Sequence, residues 1–83
     1  MSSFGTVPLK DVWAMLDHCA PGYTRKQRTH NWLVIFGGRS YPSLPVGAHG
    51  RRHNPEIQVG HVKNMVRHLG IEECAKSQIE RLR

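Results

Sequence analysis

RTHNWLVIFGGRSYPSLPV, residues Arg28 to Val46, is the stretch on which the fold turns. Its Trp32–Phe36 core is β-branched and aromatic and is bounded by turn residues, which predicts a strand. Gly37-Gly38 supplies the two positive-φ positions of a tight hairpin. Ser40 to Val46 then reads as the return strand, with Pro42 and Pro45 confining it to an edge or a bulge. Upstream, the basic run Tyr23 to Thr29 is expected to pair as an edge strand, where lysine and arginine discourage aggregation. Trp32, Val34 and Phe36 alternate with Leu33 and Ile35, so the central strand is apolar on both parities. Both of its faces are therefore expected to be at least partly covered.

Helices flank this β unit. Pro8 suits a helix start, and Leu9, Val12, Leu16 and Cys19 recur at helical spacing, with Trp13 and Met15 widening the stripe. Pro21-Gly22 ends that helix. Val62, Met65, Val66 and Leu69 form a second stripe, closed by Gly70 as a C-cap. Ile71 to Leu82 reads as a last helix with Glu72–Lys76 and Lys76–Glu80 pairs and a fraying end. Residues Gly47 to Pro55 form a loop, and no internal repeat is evident.

The expectation is an α+β fold: a three-stranded antiparallel sheet with helices packed on one face. Leu9, Val12, Leu16, Leu33, Ile35, Val62, Val66 and Leu69 are its expected core. The 83 residues are read as a single domain with residues 1–6 flexible. No apolar run approaches the ~20 residues of a membrane span, and MSSFGTVPLK lacks a secretory core, so the expected address is the cytoplasm. Cys19 and Cys74 are accordingly expected to stay reduced, as small buried hydrophobes.

Charge narrows the function. Twelve Lys and Arg face six Asp and Glu, and the net charge of +6 is unevenly spread. From His18 to Pro55 there is no acid, while Arg25, Lys26, Arg28, Arg39, Arg51 and Arg52 all fall there. A one-signed middle suits a polyanion partner, with nucleic acid first. Were that partner an RNA to be cut, a magnesium-type site would need converging carboxylates, and the basic stretch has none. The remaining route uses the ribose 2′-OH as nucleophile, a histidine to move its proton, and basic side chains to hold the phosphate. Six histidines are available. His18 and His68 lie beside helical core positions. His49 and His53 are four apart in a loop, where the spacing gives no shared face for a metal. His61 sits at a helix start near Lys63, where phosphate is welcome. His30 sits where the basic strand turns into the apolar one, and the residues alone leave it open between a core and a catalytic role.

Lys26-Gln27-Arg28-Thr29-His30, Leu44-Pro45-Val46 with His49 after it, Glu56 to Met65, and His68-Leu69-Gly70-Ile71 stand in an order that resembles the HicA/YcfA-like toxin family. These are small mRNA interferases of bacterial and archaeal toxin–antitoxin systems. The resemblance spans roughly residues 9 to 79. It implies a double-stranded-RNA-binding-like α-β-β-β-α fold, a catalytic histidine at His30, mRNA as substrate and a HicB-type antitoxin partner, with no cofactor. Arg25, Lys26, Arg28, Arg39 and Lys63 are the expected RNA-binding residues, supported by Thr29, His49 and His61. Three positions depart from the family pattern: Arg28 replaces a turn glycine, the Gly47–Pro55 loop is longer, and His61 replaces a small hydroxyl residue. A non-catalytic module binding RNA or protein through the same basic face is the alternative reading.

Overall fold

A computed structural model describes residues 5–45 and 55–83. Eight elements follow in order: β1 (Thr6–Pro8), α1 (Leu9–Cys19), β2 (Thr24–Gln27), β3 (Asn31–Phe36), β4 (Arg39–Pro45), β5 (Glu56–Gln58), α2 (Val59–Leu69) and α3 (Glu72–Gln78). A 3-10 turn, Glu80–Leu82, closes the chain. The expected three-stranded antiparallel sheet is present in the order β2-β3-β4. Gly37 and Gly38 take φ of 60° and 79°, the conformation that the β3–β4 hairpin demands.

The register settles which face of β3 is inward. Val34 lies opposite Arg25 on β2 and Tyr41 on β4, and it is fully buried. Trp32 lies opposite Leu44, which is also buried. Leu33 and Ile35 point the other way. Ile35 is 40% exposed and Leu33 only half-buried, so these two residues are not the core positions the sequence suggested. Apolarity on both parities carried no directional signal; the strand twist and the helices decide it. Between Trp32 and Val34 the register shifts, because β4 takes three steps where β3 takes two. Pro42, in that bulge, needs no ladder hydrogen bond.

A second, two-stranded sheet was not foreseen. β1 pairs antiparallel with β5, Val7 opposite Ile57. Thr6 Oγ1 donates to Glu56 Oε1 at 2.6 Å across the pair. Each strand runs directly into a helix. Neither Pro8 nor Gln58, the residues before α1 and α2, provides a side-chain cap. The opposite chain does so instead. Leu9 N–H donates to the Pro55 carbonyl (2.8 Å), and Val59 N–H donates to the Gly5 carbonyl (3.1 Å). Each helix thus has an otherwise orphaned N–H satisfied by the chain beside the other helix's lead-in strand.

This exchange reveals a repeat hidden from simple inspection. At an offset of 50, Val7, Leu9, Val12, Met15, Leu16 and His18 match Ile57, Val59, Val62, Met65, Val66 and His68. The apolar members of both sets are buried. The two strand–helix units are therefore related by a local two-fold centred on the Val7–Ile57 pair.

The helices end together as well. Gly70 ends α2 at φ 77°, and Ile71 N–H reaches back to the Val66 carbonyl (2.9 Å), the six-to-one bond of a Schellman motif. Arg67 pairs with Glu72 at 3.8 Å across that turn. Cys19, the last residue of α1, is disulfide-bonded to Cys74 in α3, 55 residues away. The expectation of two reduced cysteines is corrected here. Their pairing depends on α1 and α3 meeting, which residue counts do not reveal. Closing a loop of that length is worth about 4 kcal/mol in the chain-entropy account.

The last segment also departs from a single helix over Ile71–Leu82. Helix α3 stops at Gln78, and Ile79 turns extended so that it and Leu82 bury. The end is packed rather than frayed. Lys76 accordingly pairs with Glu73 at 3.9 Å, not with Glu72 or Glu80. No helix among the described residues is long and apolar enough to cross a membrane.

Two isoleucines test this architecture. Ile57→Ala, in the fully packed β1–β5 pair, is expected to cost about 2–5 kcal/mol in urea unfolding. Ile35→Ala, on the open face, should cost under about 1 kcal/mol. Equal losses would contradict the assignment of faces.

Candidate nucleic-acid interface

The β2–β3 connection is a short turn closed by Arg28 N–H donating to the Asn31 carbonyl at 2.7 Å. Lys26, Arg28, Thr29 and His30 are all exposed on or beside it. His30 has no hydrogen-bond or ion-pair partner among the described residues and projects from the tip. Lys26 lies opposite Leu33 in the register, so it belongs to the open face of the sheet.

The helices orient toward the same end. Arg39 Nη1 donates to the His68 carbonyl (3.2 Å), and the Tyr41 ring lies 6.1 Å from that of His68. The start of β4 therefore sits at the C-terminal end of α2. Its far end, Pro45, paired with Asn31, points toward the N-terminal end of α2. His61 and Lys63 occupy the first turns of that helix, both half-buried. Because β1 and β5 lock the helix starts side by side, both helices direct their positive dipole ends toward the His30 end. The first turn of α2 holds no acid.

The structure thus sets Lys26, Arg28, Thr29 and His30 in one exposed segment, while α2 packs against β4 on the other side of β3. It does not bring Arg39 there. Arg39 opens β4 at the opposite end of the hairpin, about 20 Å along a six-residue strand, where it caps the carbonyl end of α2. His49, along with Arg51, Arg52 and His53, lies outside the described residues.

Arg25 has a different occupation. Its side chain faces the helical layer, and its guanidinium carbon lies 4.3 Å above the Trp13 ring. The rings of Trp32 and Tyr23 stand 5.8 and 6.0 Å from the same atom. Nη1 also donates to the Tyr23 hydroxyl at 2.6 Å. Trp13 stacks on Tyr23 at 6.4 Å and meets Trp32 edge-on at 5.0 Å. The Trp32 indole N–H is shut from solvent without a hydrogen-bond partner. The edge-to-face contact with Trp13 offsets part of that cost. This cluster escaped the sequence reading. Its members come from α1, the α1–β2 connection, β2 and β3, and no local spacing joins them.

Comparison of the chain with protein-family models, curated proteins and solved structures finds no match.

Among the described residues, no three His, Cys, Asp or Glu side chains gather to hold a metal ion. A cavity of about 330 Å³ opens between α1 and the C-terminal turn, and Asp11 and Glu80 line it. Arg81 shares that lining, so the two carboxylates are only partly offset there.

Burial raises both tyrosine pKa values above the ordinary 10.0. For Tyr41 burial is the whole cause. For Tyr23 the Arg25 cation opposes it, and Asp17 adds to it. A raised folded-state value means that the unfolded chain loses its tyrosine protons first. Stability is then unaffected below pH ~10 and falls as pH rises above it. Urea unfolding across that range should show a shallower fall for Tyr41→Phe than for the native protein; identical slopes would contradict the burial of the Tyr41 hydroxyl.

Proposed function

We propose that this protein is a metal-independent endoribonuclease of the toxin class, cutting mRNA with His30 as its proton-transfer residue. The observation that carries the reading is the exposed His30 on a turn that also bears Lys26, Arg28 and Thr29, in a stretch of 38 residues (18–55) without one acid. The order of elements is compatible with the double-stranded-RNA-binding-like layout of HicA-type toxins, and the resemblance of the turn and of the Leu44-Pro45-Val46 strand to that family supports the assignment.

The chemistry follows from the residue types. A ribose 2′-OH near His30 loses its proton as its oxygen attacks the adjacent phosphorus. The bond from phosphorus to the 5′ oxygen breaks, that oxygen takes a proton, and a 2′,3′-cyclic phosphate remains. One imidazole serves as base or acid in this exchange, typically contributing 10²–10⁴-fold. Arg28 and Lys26, with Lys63 from α2, neutralise the charge that builds on the phosphoryl oxygens. DNA lacks the nucleophile and is not a substrate. An antitoxin of the HicB type would be acidic where this protein is basic and would cover the His30 turn.

One observation favours the second reading, a non-catalytic RNA-binding module. Among the described residues no carboxylate or carbonyl orients the His30 ring, whereas catalytic imidazoles are commonly held by such a group.

The two readings separate on one variant. His30→Ala should reduce cleavage of a single-stranded mRNA fragment by at least about 100-fold while leaving RNA affinity and the unfolding midpoint within error. EDTA should leave native cleavage intact. Cleavage that survives His30→Ala, or that EDTA abolishes, would overturn the assignment.

A further inference from the structure

We propose that the Arg25–Trp13 stack, walled by Tyr23 and Trp32, is a nucleobase platform that holds an unpaired nucleotide of the RNA strand beside the His30 turn. The inference rests on the RNA reading above and names the form of RNA that the site accepts.

Arg25 is a planar cation already fixed in place. The Trp13 ring lies beneath it at 4.3 Å, and the hydrogen bond to the Tyr23 hydroxyl sets its position. Arg25 is nonetheless an exposed residue and makes no ion pair among the described residues. A guanidinium seated on an indole, in a residue that stays exposed, is the kind of surface on which a splayed-out base stacks. One of its five N–H donors is engaged by Tyr23, which leaves others for a phosphate or a base edge. The geometry is set before a ligand arrives, so little side-chain entropy is lost on binding.

Position supports the assignment. Arg25 lies opposite Val34, and the next pair of the same parity is Gln27 with Trp32, immediately before the turn. His30 lies in the tight turn just beyond the Gln27–Trp32 pair, at most about 7 Å along the strand direction, within reach of a flanking nucleotide. Lys26 lies on the opposite face of the sheet, and Arg28, exposed in the turn between Gln27 and His30, supplies charge for the backbone between platform and histidine.

Stacking of this kind requires a base whose face is free. In duplex RNA every base face is already covered by its neighbours, so the platform selects unpaired RNA. Every base has a π face, so the platform accepts all four with little preference. The module therefore discriminates by strandedness rather than by base identity at this position.

Trp13 and Trp32 are the only tryptophans in the chain and both belong to the platform, so intrinsic fluorescence reads it directly. The probe is a short oligoribonucleotide with 2′-O-methyl groups throughout, which cannot be cut by 2′-OH attack. Titrated as a single strand into the full chain, it should quench the tryptophans and bind at least about tenfold tighter than the same sequence annealed into a duplex. Arg25→Lys keeps the charge but removes the plane and should weaken single-strand binding about five- to 100-fold. Tyr23→Phe keeps the ring, loses only the bond that fixes the guanidinium, and should cost a few-fold; it serves if Arg25→Lys disturbs the fold by circular dichroism. Absence of quenching, equal affinity for duplex and single strand, or native affinity in both variants would overturn the proposal and leave Arg25 a packing residue. The catalytic reading fails separately: loss of the His30 dependence of cleavage, with strandedness and quenching preserved, leaves the platform standing.

Discussion

The pairing of β1 with β5 is the constraint on which the rest of the structure depends. Two three-residue strands 50 positions apart pair with each other, and the carbonyls of Gly5 and Pro55, just ahead of them, accept from the first N–H of the opposite helix. Neither helix brings a serine, threonine, aspartate or asparagine to its own start, so without this exchange both would begin with unsatisfied donors near a buried core. With the helix starts locked and the disulfide and the Gly70 turn holding the other ends, α1 and α2 lie side by side in the same direction. The three-stranded sheet is left with one layer to pack on and one open face.

That arrangement distributes charge. Capping of α2 by Arg39 and the Arg67–Glu72 pair use basic side chains at the carbonyl ends of the helices. The opposite end receives both positive dipole ends together with the β2–β3 turn. A stretch of sequence free of acids thus exposes His30, Arg28 and Lys26 at that end. The same stretch divides its cations by strand parity. Lys26 goes to the open face, while Arg25 goes inward to the aromatic cluster. A basic run in sequence is therefore not one patch in space but is divided between the two faces of the sheet.

Much of the scaffold was legible because its signals are local. Gly37-Gly38, Pro21-Gly22 and Gly70 each mark a backbone conformation that few other residues adopt, and the α2 stripe from Val62 to Leu69 has a clear helical period. Wherever partners are far apart in sequence, the reading failed. The orientation of β3 was hidden because Trp32, Val34 and Phe36 are no more apolar than Leu33 and Ile35. Strand β1 is three residues long and ends in proline, and its partner lies 50 residues on. Cys19 and Cys74, and the members of the Arg25 cluster, meet only after the helices are placed. His30 was legible in part: its position at a strand start predicts exposure, while its chemical role comes from the resemblance.

The claim that ties these features together is that the His30 end of the molecule moves a proton from a ribose hydroxyl without a metal. The ends of the RNA fragments report that chemistry most directly. Mass spectrometry of a defined mRNA fragment after incubation with the purified protein should find 2′,3′-cyclic phosphates and free 5′-hydroxyls at the new ends. Fragments carrying 3′-hydroxyls and 5′-phosphates, or an RNA recovered intact, would contradict it.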